Sequence, residues 1–485
     1  MKFPKWSKLY VNGEWREGTS ENVFVNTNPY NGEALSEIRL ANKADIDAAY
    51  EAAQAAQPGW EALPAAVKSE MMHKAITIME RRTEEIVPVI VAESGGTILK
   101  GHIELKIAMG SMKEAATYPM RMHDEIRPSG VPGKENRLIR KPVGVVGTIA
   151  PWNFAVNLGM RSIAASLMTG NTVVLKPDSQ TYISGGLFLA EVFEEAGIPK
   201  GVFNVVVADL KEVGDYFVEH PIPRMISFTG STAAGRHIGS IAGKHLKKAA
   251  LELGGNNAFI VLDGANIDQA VSAGVFGKFM HQGQICMCVN RFIVDRKVYA
   301  QFVEKFVAAA KTLQAGDPSD PKTVVGPLIN STQVEKVRTL IEKAKTEGAT
   351  VALEGTIEGN VVSPFVITDC LNDMTIAQNE IFGPVAVVIP VDGEEEAIRV
   401  ANDAPFGLSG AVFAATVEKG LEVASRIDTG MIHVHDQTIN DEPHIAFGGE
   451  KGSGLGRFNG EWSLEEFTTV KWISLQHEAR HYPFS

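Results

Sequence analysis

Val143-Gly144-Val145-Val146-Gly147-Thr148-Ile149-Ala150 is a short apolar run of strand character, and the alternation that continues from it decides the fold. Leu158 to Met168 reads as a helix stopped by Gly170, and Thr172 to Leu175 as a second strand. Ile183 to Ala196 reads as a helix and Phe203 to Val207 as a third strand. Met225 to Phe228 is a further strand, with a helix from Thr232. Buried-type strands alternating with helices form parallel βαβ units, because only a sheet covered on both faces hides strands of this kind. A second series of the same type starts at Ala258-Phe259-Ile260-Val261 and runs to about Val434. The expected class is α/β, in two lobes that meet near Leu253-Gly254-Gly255.

Outside these lobes the signals are local. Lys8 to Trp15 carries Asn12-Gly13 between apolar and aromatic residues and reads as a β-hairpin. A helix is expected over Lys43 to Ala56, capped by Asn42, with Pro58-Gly59 beyond its end. Another starts near Pro64, and a third leads away from Glu93-Ser94-Gly95-Gly96. Two pieces fit neither lobe. Ile126 to Arg140 looks like a protruding hairpin, and Phe467 to Leu475 alternates as a strand does. That late strand has two possible partners, a neighbouring subunit or the protrusion.

Composition narrows the function. Of 485 residues, 45% are apolar and 21% charged, which suits a folded chain with a large core that requires neither disulfides nor metal. The net charge of −12 is spread out, with no basic arm or stripe, which argues against nucleic-acid binding. No stretch approaches the ~18–20 apolar residues of a membrane span. Cys286, Cys288 and Cys370 give no disulfide framework, and the start Met1-Lys2-Phe3-Pro4-Lys5-Trp6 lacks a signal-peptide run. A cytoplasmic location is expected.

Five motifs carry candidate chemistry, each with a plainer reading beside it. Cys286, in Gly283-Gln284-Ile285-Cys286, sits among loop residues where oriented backbone donors can lower a thiol's pKa for attack on a carbonyl; a free cysteine is equally at home buried. A His281–Cys286 hydrolase pair is conceivable, although the spacing does not force the two together. Glu252, between Leu251 and Leu253 at a strand end, is desolvated enough to act as a base; the alternative is a salt-bridged or capping glutamate. Asn153, in Pro151-Trp152-Asn153-Phe154, is placed to donate to an oxyanion, or to close an Asx turn. The turn Phe228-Thr229-Gly230-Ser231-Thr232 offers backbone N–H groups and a helix start to phosphate, without the dinucleotide glycine fingerprint. Lys176, in Leu175-Lys176-Pro177-Asp178-Ser179, holds ribose hydroxyls or phosphate, or is simply solvated.

In this order, with Glu380-Ile381-Phe382-Gly383-Pro384, Phe447-Gly448-Gly449, Ser453-Gly454 and Gly456-Arg457 completing the set, the chain resembles the aldehyde dehydrogenase superfamily over nearly its whole length. The resemblance implies a Rossmann-like NAD(P)-binding domain over residues 1–123 and 142–252. It implies a catalytic α/β domain over 253–450 and a small β oligomerisation arm over 124–141 and 464–485. It implies a homodimer or homotetramer, NAD or NADP as cofactor, a small aldehyde as substrate and no metal. It also implies roles. Cys286 attacks the aldehyde to form a thiohemiacetal, while Asn153 and the Cys286 N–H hold the oxyanion. Hydride transfer to the nicotinamide leaves a thioester, and Glu252 activates the water that releases the acid. Lys176 binds the adenine ribose and Glu380 the nicotinamide ribose. Ser231 and Trp152 contact the pyrophosphate, and Thr229, Gly230 and Phe382 lie beside the nicotinamide.

Several positions depart from the family pattern. Ser179 stands where NAD-selective relatives carry a glutamate that repels a 2′-phosphate, so NADP is expected to be tolerated, with Asp178 as a possible counterweight. Ala208-Asp209-Leu210 replaces a Gly-x-Gly turn, Ala446 a proline, and Phe458 a glutamate in a proposed proton path. His281 to Met287, Leu253 to Asn257 and Asn440 to His444 are similar to the benzaldehyde and vanillin dehydrogenase branch. Leu158 and Arg161 are then expected to line a substrate tunnel with Phe154, Ile285 and Met287, whose apolar and sulfur-bearing walls suit an aromatic ring; generic packing is the alternative. The competing functions are an aliphatic aldehyde or semialdehyde dehydrogenase, a CoA-acylating dehydrogenase and a non-catalytic binding protein. Glu252 speaks against the second, and Cys286, Glu252 and Asn153 together against the third.

Overall fold

The computed structural model describes residues 1–484, so the last position of the 464–485 segment lies outside the described residues. The strands between Val145 and Glu252 lie side by side in one sheet. From one edge its order is Glu14–Arg16, Leu9–Val11, Phe203–Val205, Thr172–Lys176, Val145–Ile149, Met225–Thr229, Lys248–Glu252 and Gly454–Leu455. The pairings from Phe203–Val205 through Lys248–Glu252 are all parallel. Counted along the chain, these five strands stand third, second, first, fourth, fifth. The winding therefore reverses between Val145–Ile149 and Met225–Thr229, and a crevice opens at the carboxyl ends of the strands there.

Helix Ala155–Met168 is buried along its whole length. It lies against the sheet and against helix Ile98–Ala115, as a helix buried on every side must. It begins a turn earlier than the apolar pattern indicates. Its own N-cap position, Phe154, has no capping side chain. Glu104 does that work from the neighbouring helix, its carboxylate accepting from the N–H of Val156 (2.8 Å) and Asn157 (3.4 Å).

The second sheet runs Thr350–Leu353, Phe365–Thr368, Val385–Val391, Val289–Asp295, Asn257–Val261, Gly410–Phe413 and His433–Val434. All its pairings are parallel except the first. The chain crosses between the sheets at Leu253 to Asn256, and Gly454–Leu455 returns to close the first sheet beside Lys248–Glu252. The tail strand Thr468–Gln476 pairs antiparallel along its length with Lys134–Pro142 of the hairpin Glu125–Pro128/Lys134–Pro142. Its outer edge has no strand partner among the described residues, and Val470 and Trp472 are exposed there.

Two other helices differ from expectation. The first runs Lys43–Ala62, through Pro58, instead of ending before it. Asn42 and Asp45 form the reciprocal cap at its start, and buried Trp60 holds its last turn by donating to the Leu167 carbonyl (2.9 Å). The segment Ile183 to Ala196 opens with a π-turn, Ile183–Leu187, before the α-helix Phe188–Ala196. Glu93 accepts from the N–H of Ile183 and Ser184, a pairing that draws this turn wider than an α-helix.

Candidate active site

Register brings the site together. Lys176 lies beside Ile149, Ile149 beside Phe228, and Thr229 beside Glu252. The loops leaving these strands, Pro151 to Phe154 and Gly230-Ser231, flank the reversal of winding. Trp152, Asn153, Thr229, Gly230, Ser231, Glu380 and Phe382 line one crevice, and Cys286 lies at its inner end.

The loop before Cys286 is strained and tied down. His281 (φ 50°), Gln282 (φ 56°) and Gly283 (φ 75°) are all left-handed. For the two non-glycine residues this costs on the order of 1–2 kcal/mol each. Side chains offset it. Gln282 donates to the carbonyls of Gly95 (2.8 Å) and Pro327 (2.9 Å), and Gln284 Oε1 accepts from the Ile329 N–H (3.0 Å). Asn257 donates to the carbonyls of Cys286 (2.7 Å) and Cys288 (2.8 Å). Asn153 Nδ2 donates to the Gln284 carbonyl at 3.0 Å, two residues before the thiol, and its amide carries a second N–H. Gly255 is required here, because a Cβ would stand 2.3 Å from the Cys286 carbonyl oxygen.

The Cys286 thiol donates to Glu252 Oε2 at 3.9 Å. Burial, with the Glu252 and Glu380 carboxylates nearby, pushes the thiol well above its ordinary range. The expectation that backbone donors lower it is corrected: Cys286 lies in a turn beside two carboxylates, not at a helix start. Glu252 is pushed up to about 8, chiefly by burial; Arg161 pulls it down, and Asp441 and Glu380 push it up. Its Oε1 is buried without a partner among the described residues. Thiol and carboxyl thus form a proton donor–acceptor pair, in which the thiol can pass its proton to Glu252 once that carboxyl is ionised. The His281 alternative fails. That ring is buried edge-on to Phe154, with the Asn153 backbone as its polar neighbour, and burial holds it well below its ordinary range, in the neutral form. Cys288 packs with its thiol towards the Met280 carbonyl and is pushed up to about 12 by burial.

The crevice fits a dinucleotide. Glu380 Oε1 accepts from the Gly255 N–H (3.0 Å), and Gly254 leaves room for that carboxylate, since a Cβ there would lie 2.7 Å from Glu380 Oε2. Ser231 caps helix Thr232–Lys244, whose first-turn N–H groups form a phosphate-sized positive end. The Trp152 and Phe382 rings meet edge to face at 5.5 Å and form one wall. Phe382 itself is left-handed (φ 55°). Lys176 and Ser179 are not in this wall. Lys176 lies buried at its strand end near Asp178 and Asp209, and the Asp178 carboxylate accepts from the Gln180 N–H (2.9 Å). Sequence reasoning missed Gln333 and Lys336, which also line the crevice. Gln333 donates to the carbonyls of Ile381 (3.1 Å) and Phe382 (2.8 Å), fixing the Glu380 loop. The Asn330 cap of helix Ser331–Thr346 is a legible signal for that helix, but not for where it docks.

A second cavity opens on the other side of Cys286. Phe154, Leu158, Arg161, Ile285 and Met287 line it, together with Asn157, Ile439, Asp441 and Phe447. The two cavities share Asn153, Leu158 and Cys286, so the thiol stands at their junction.

Comparison with known proteins agrees with this geometry. The aldehyde dehydrogenase family model matches residues 15–473. The chain is 51% identical to the benzaldehyde dehydrogenase YfmT of Bacillus subtilis, over 100% of both chains. It is 49% identical to a vanillin dehydrogenase of Corynebacterium glutamicum, over 97% of this chain and 98% of that protein. The solved structure of an NAD-dependent benzaldehyde dehydrogenase from Corynebacterium glutamicum superposes with a TM-score of 0.91 at 45% identity, covering 99% of this chain and 98% of that one. A betaine aldehyde dehydrogenase from Staphylococcus aureus in complex with NAD+ gives 0.96 at 30% identity, covering 99% and 97%. With the crevice at the sheet's switch point, Cys286 among its lining residues and in contact with Glu252, and a match across nearly the whole chain, this protein belongs to the aldehyde dehydrogenase family.

Proposed function

We propose that the chain oxidises aromatic aldehydes to carboxylic acids with NAD or NADP. The observation that carries this reading is the position of Cys286, in contact with Glu252 and shared by the switch-point crevice and a largely apolar cavity. The thiol gives its proton to Glu252 as sulfur attacks the aldehyde carbon. The second Asn153 N–H and the Cys286 N–H stabilise the oxygen anion of the thiohemiacetal. The dinucleotide, when bound, supplies the hydride acceptor. Ser231, Thr229, Gly230, Trp152, Phe382 and Glu380 hold and orient it, with Lys176 and Ser179 at the adenosine end. Once a thioester stands on Cys286 and Glu252 has released that first proton to solvent, water loses a proton to Glu252 while attacking the thioester, the acid leaves, and the departing thiolate takes that proton back to restore the thiol.

Phe154, Leu158, Ile285 and Met287 give the tunnel flat and polarisable walls suited to a ring. Relatives bearing the names benzaldehyde, vanillin and salicylaldehyde dehydrogenase support an aromatic substrate. At the ribose site Ser179 is uncharged and Asp178 is engaged in capping a turn, which supports use of both cofactors. The open edge of Thr468–Gln476 supports assembly into a homodimer or homotetramer through the arm of residues 124–141 and 464–485. Cytoplasmic residence fits three unpaired cysteines, and no helix among the described residues is long and apolar enough to cross a membrane. The test is a panel of aromatic and aliphatic aldehydes with NAD and with NADP, followed by nicotinamide absorbance. Aromatic aldehydes are expected to give the higher kcat/KM; strong aliphatic turnover with no benzaldehyde turnover would reject the substrate class.

A further inference from the structure

The turn that carries Cys286 has a partner for every carbonyl from Gln284 to Cys288. Asn153 Nδ2 donates to Gln284 at 3.0 Å, and the Cys288 N–H closes on Ile285 at 2.9 Å. Asn257 Nδ2 donates to Cys286 at 2.7 Å and to Cys288 at 2.8 Å. The Thr438 hydroxyl donates to the Met287 carbonyl between them, at 2.6 Å. Ser409 ties these last two side chains together. Its N–H donates to Asn257 Oδ1 at 2.9 Å, and its hydroxyl donates to the Thr438 carbonyl at 2.7 Å. Asn257, Ser409 and Thr438 are all buried, where an unpaired polar atom is costly. Sheet register gathers them. Asn257 opens its strand beside Val289, the residue after Cys288, and Ser409 immediately precedes Gly410, which lies beside Ala258. Among the described residues that line the two cavities at Cys286, none of these three occurs.

We infer that Asn257 and Thr438, joined by Ser409, are positioning residues for Cys286: they hold its sulfur and its backbone N–H in register with the Asn153 amide. This rests on the reading of Cys286 as the nucleophile and holds whatever aldehyde is taken. Sulfur has to meet the aldehyde carbon while the N–H of the same residue reaches the aldehyde oxygen. A rotation of the Cys286 backbone moves both at once, away from Asn153, which stands in the other lobe. Peptide groups are planar, so holding the Ile285 and Cys286 carbonyls fixes the planes on both sides of the Cys286 Cα and leaves the side-chain torsion as the only freedom. A displacement of about 1 Å in such a geometry is enough to cost about a hundredfold in rate. The residue type at 257 is specified by its partners. Two amide N–H groups meet two carbonyls and the amide oxygen meets an N–H, a set that neither aspartate nor leucine supplies. Gly255 leaves this amide its place, since a Cβ there would stand 2.9 Å from Asn257 Oδ1.

The test uses Thr438→Val, which keeps the shape of the side chain and loses the hydroxyl, and Thr438→Ser, which keeps the hydroxyl. Benzaldehyde and saturating NAD are mixed with excess enzyme, and the rate of NADH formation in the first turnover is read by stopped flow. Alkylation of Cys286 by iodoacetamide is followed in parallel from the mass of its peptide. There the sulfur displaces iodide, a step that uses the thiol and no oxyanion donor. In Thr438→Val the first-turnover rate is expected to fall about tenfold, with alkylation falling less, and in Thr438→Ser it is expected to stay with the unaltered enzyme. Asn257→Ala removes two donors and is expected to fall about a hundredfold. If that variant does not fold, the threonine pair decides alone. An unchanged first-turnover rate in Thr438→Val overturns the proposal. So does an equal loss in both reactions, which marks a loosened fold, or a loss in Thr438→Ser as large as in Thr438→Val, which marks packing of the methyl group. If Cys286→Ala still forms NADH from the aldehyde, the nucleophile reading fails and the positioning role with it. If Cys286→Ala is inactive while Thr438→Val turns over at the unaltered rate, the positioning role alone fails.

Discussion

Glu252 makes the sharpest prediction because its environment fixes both the position and the sign of a pH effect. An ordinary glutamate ionises near 4.5, and a reaction relying on one would be flat across neutral pH. Here burial holds the carboxyl near 8, so it gains its base form only as pH rises through that value. One unit below, about one-tenth of it is ionised, and kcat/KM should rise about tenfold from pH ~7 to a plateau above ~9. The Cys286 thiol is pushed higher still, so its own ionisation does not produce this limb. Neighbours set the direction of shifts. Arg161 pulls Glu252 down, so Arg161→Met should move the inflection up. Asp441 pushes it up, so Asp441→Asn should move it down. Glu252→Gln should lower kcat/KM by about 10²–10⁴ and remove the limb. The assay is kcat/KM for benzaldehyde from nicotinamide absorbance, at constant ionic strength, from about pH 6 to about 10. A flat profile in the unaltered enzyme, or a limb that survives in Glu252→Gln, would refute the reasoning. The same burial acts on folding. The protonated form is favoured in the folded state, so this group's stabilising contribution is complete below the ordinary value of 4.5 and declines as pH rises towards 8. Glu252→Gln should flatten that decline in thermal melts.

Other perturbations test other parts of the site. Asn153→Ala removes an oxyanion donor and frees the Gln284 carbonyl, and should lower kcat by about 10²–10³ with a smaller change in KM; equal loss in both would point to ground-state binding instead. Ser179→Glu places a negative charge at the strand end beside Lys176 and should cut kcat/KM for NADP at least about tenfold relative to NAD; an unchanged ratio would move the adenosine ribose away from that strand. Glu104→Ala leaves the fully buried Lys100 without its partner and the first turn of Ala155–Met168 uncapped, at a cost of about 3–5 kcal/mol in denaturant unfolding. A loss below about 1 kcal/mol would mean that the helix is held by packing alone.

Much of this protein was legible without coordinates, because the signals were local. Asn12 and Gly13 adopt the paired positive φ values, 54° and 73°, that their hairpin turn demands. Asn42 caps the helix it precedes, and apolar runs punctuated by glycine mark strands whose partners follow from parallel winding. Cys286, Glu252 and Asn153 were marked by their own neighbours and by the order of the motifs. What needed tertiary structure is every pairing between distant side chains. Asn153 reaches the Gln284 carbonyl across 131 residues, and Glu104 caps a helix 52 residues away. Gln333 fixes the Glu380 loop, and Asp441 turns Arg161 along the tunnel. The thiol's upward shift also belongs here, since it comes from burial and from carboxylates on separate strands and loops. Periodicity and caps are written within a few residues, because backbone sterics and local hydrogen bonds act over that range. Desolvation and long-range polar pairing come into being only when the sheets close on each other. The alternation of strands and helices was therefore in the sequence, while the electrostatics that set Cys286 against Glu252 were decided by packing.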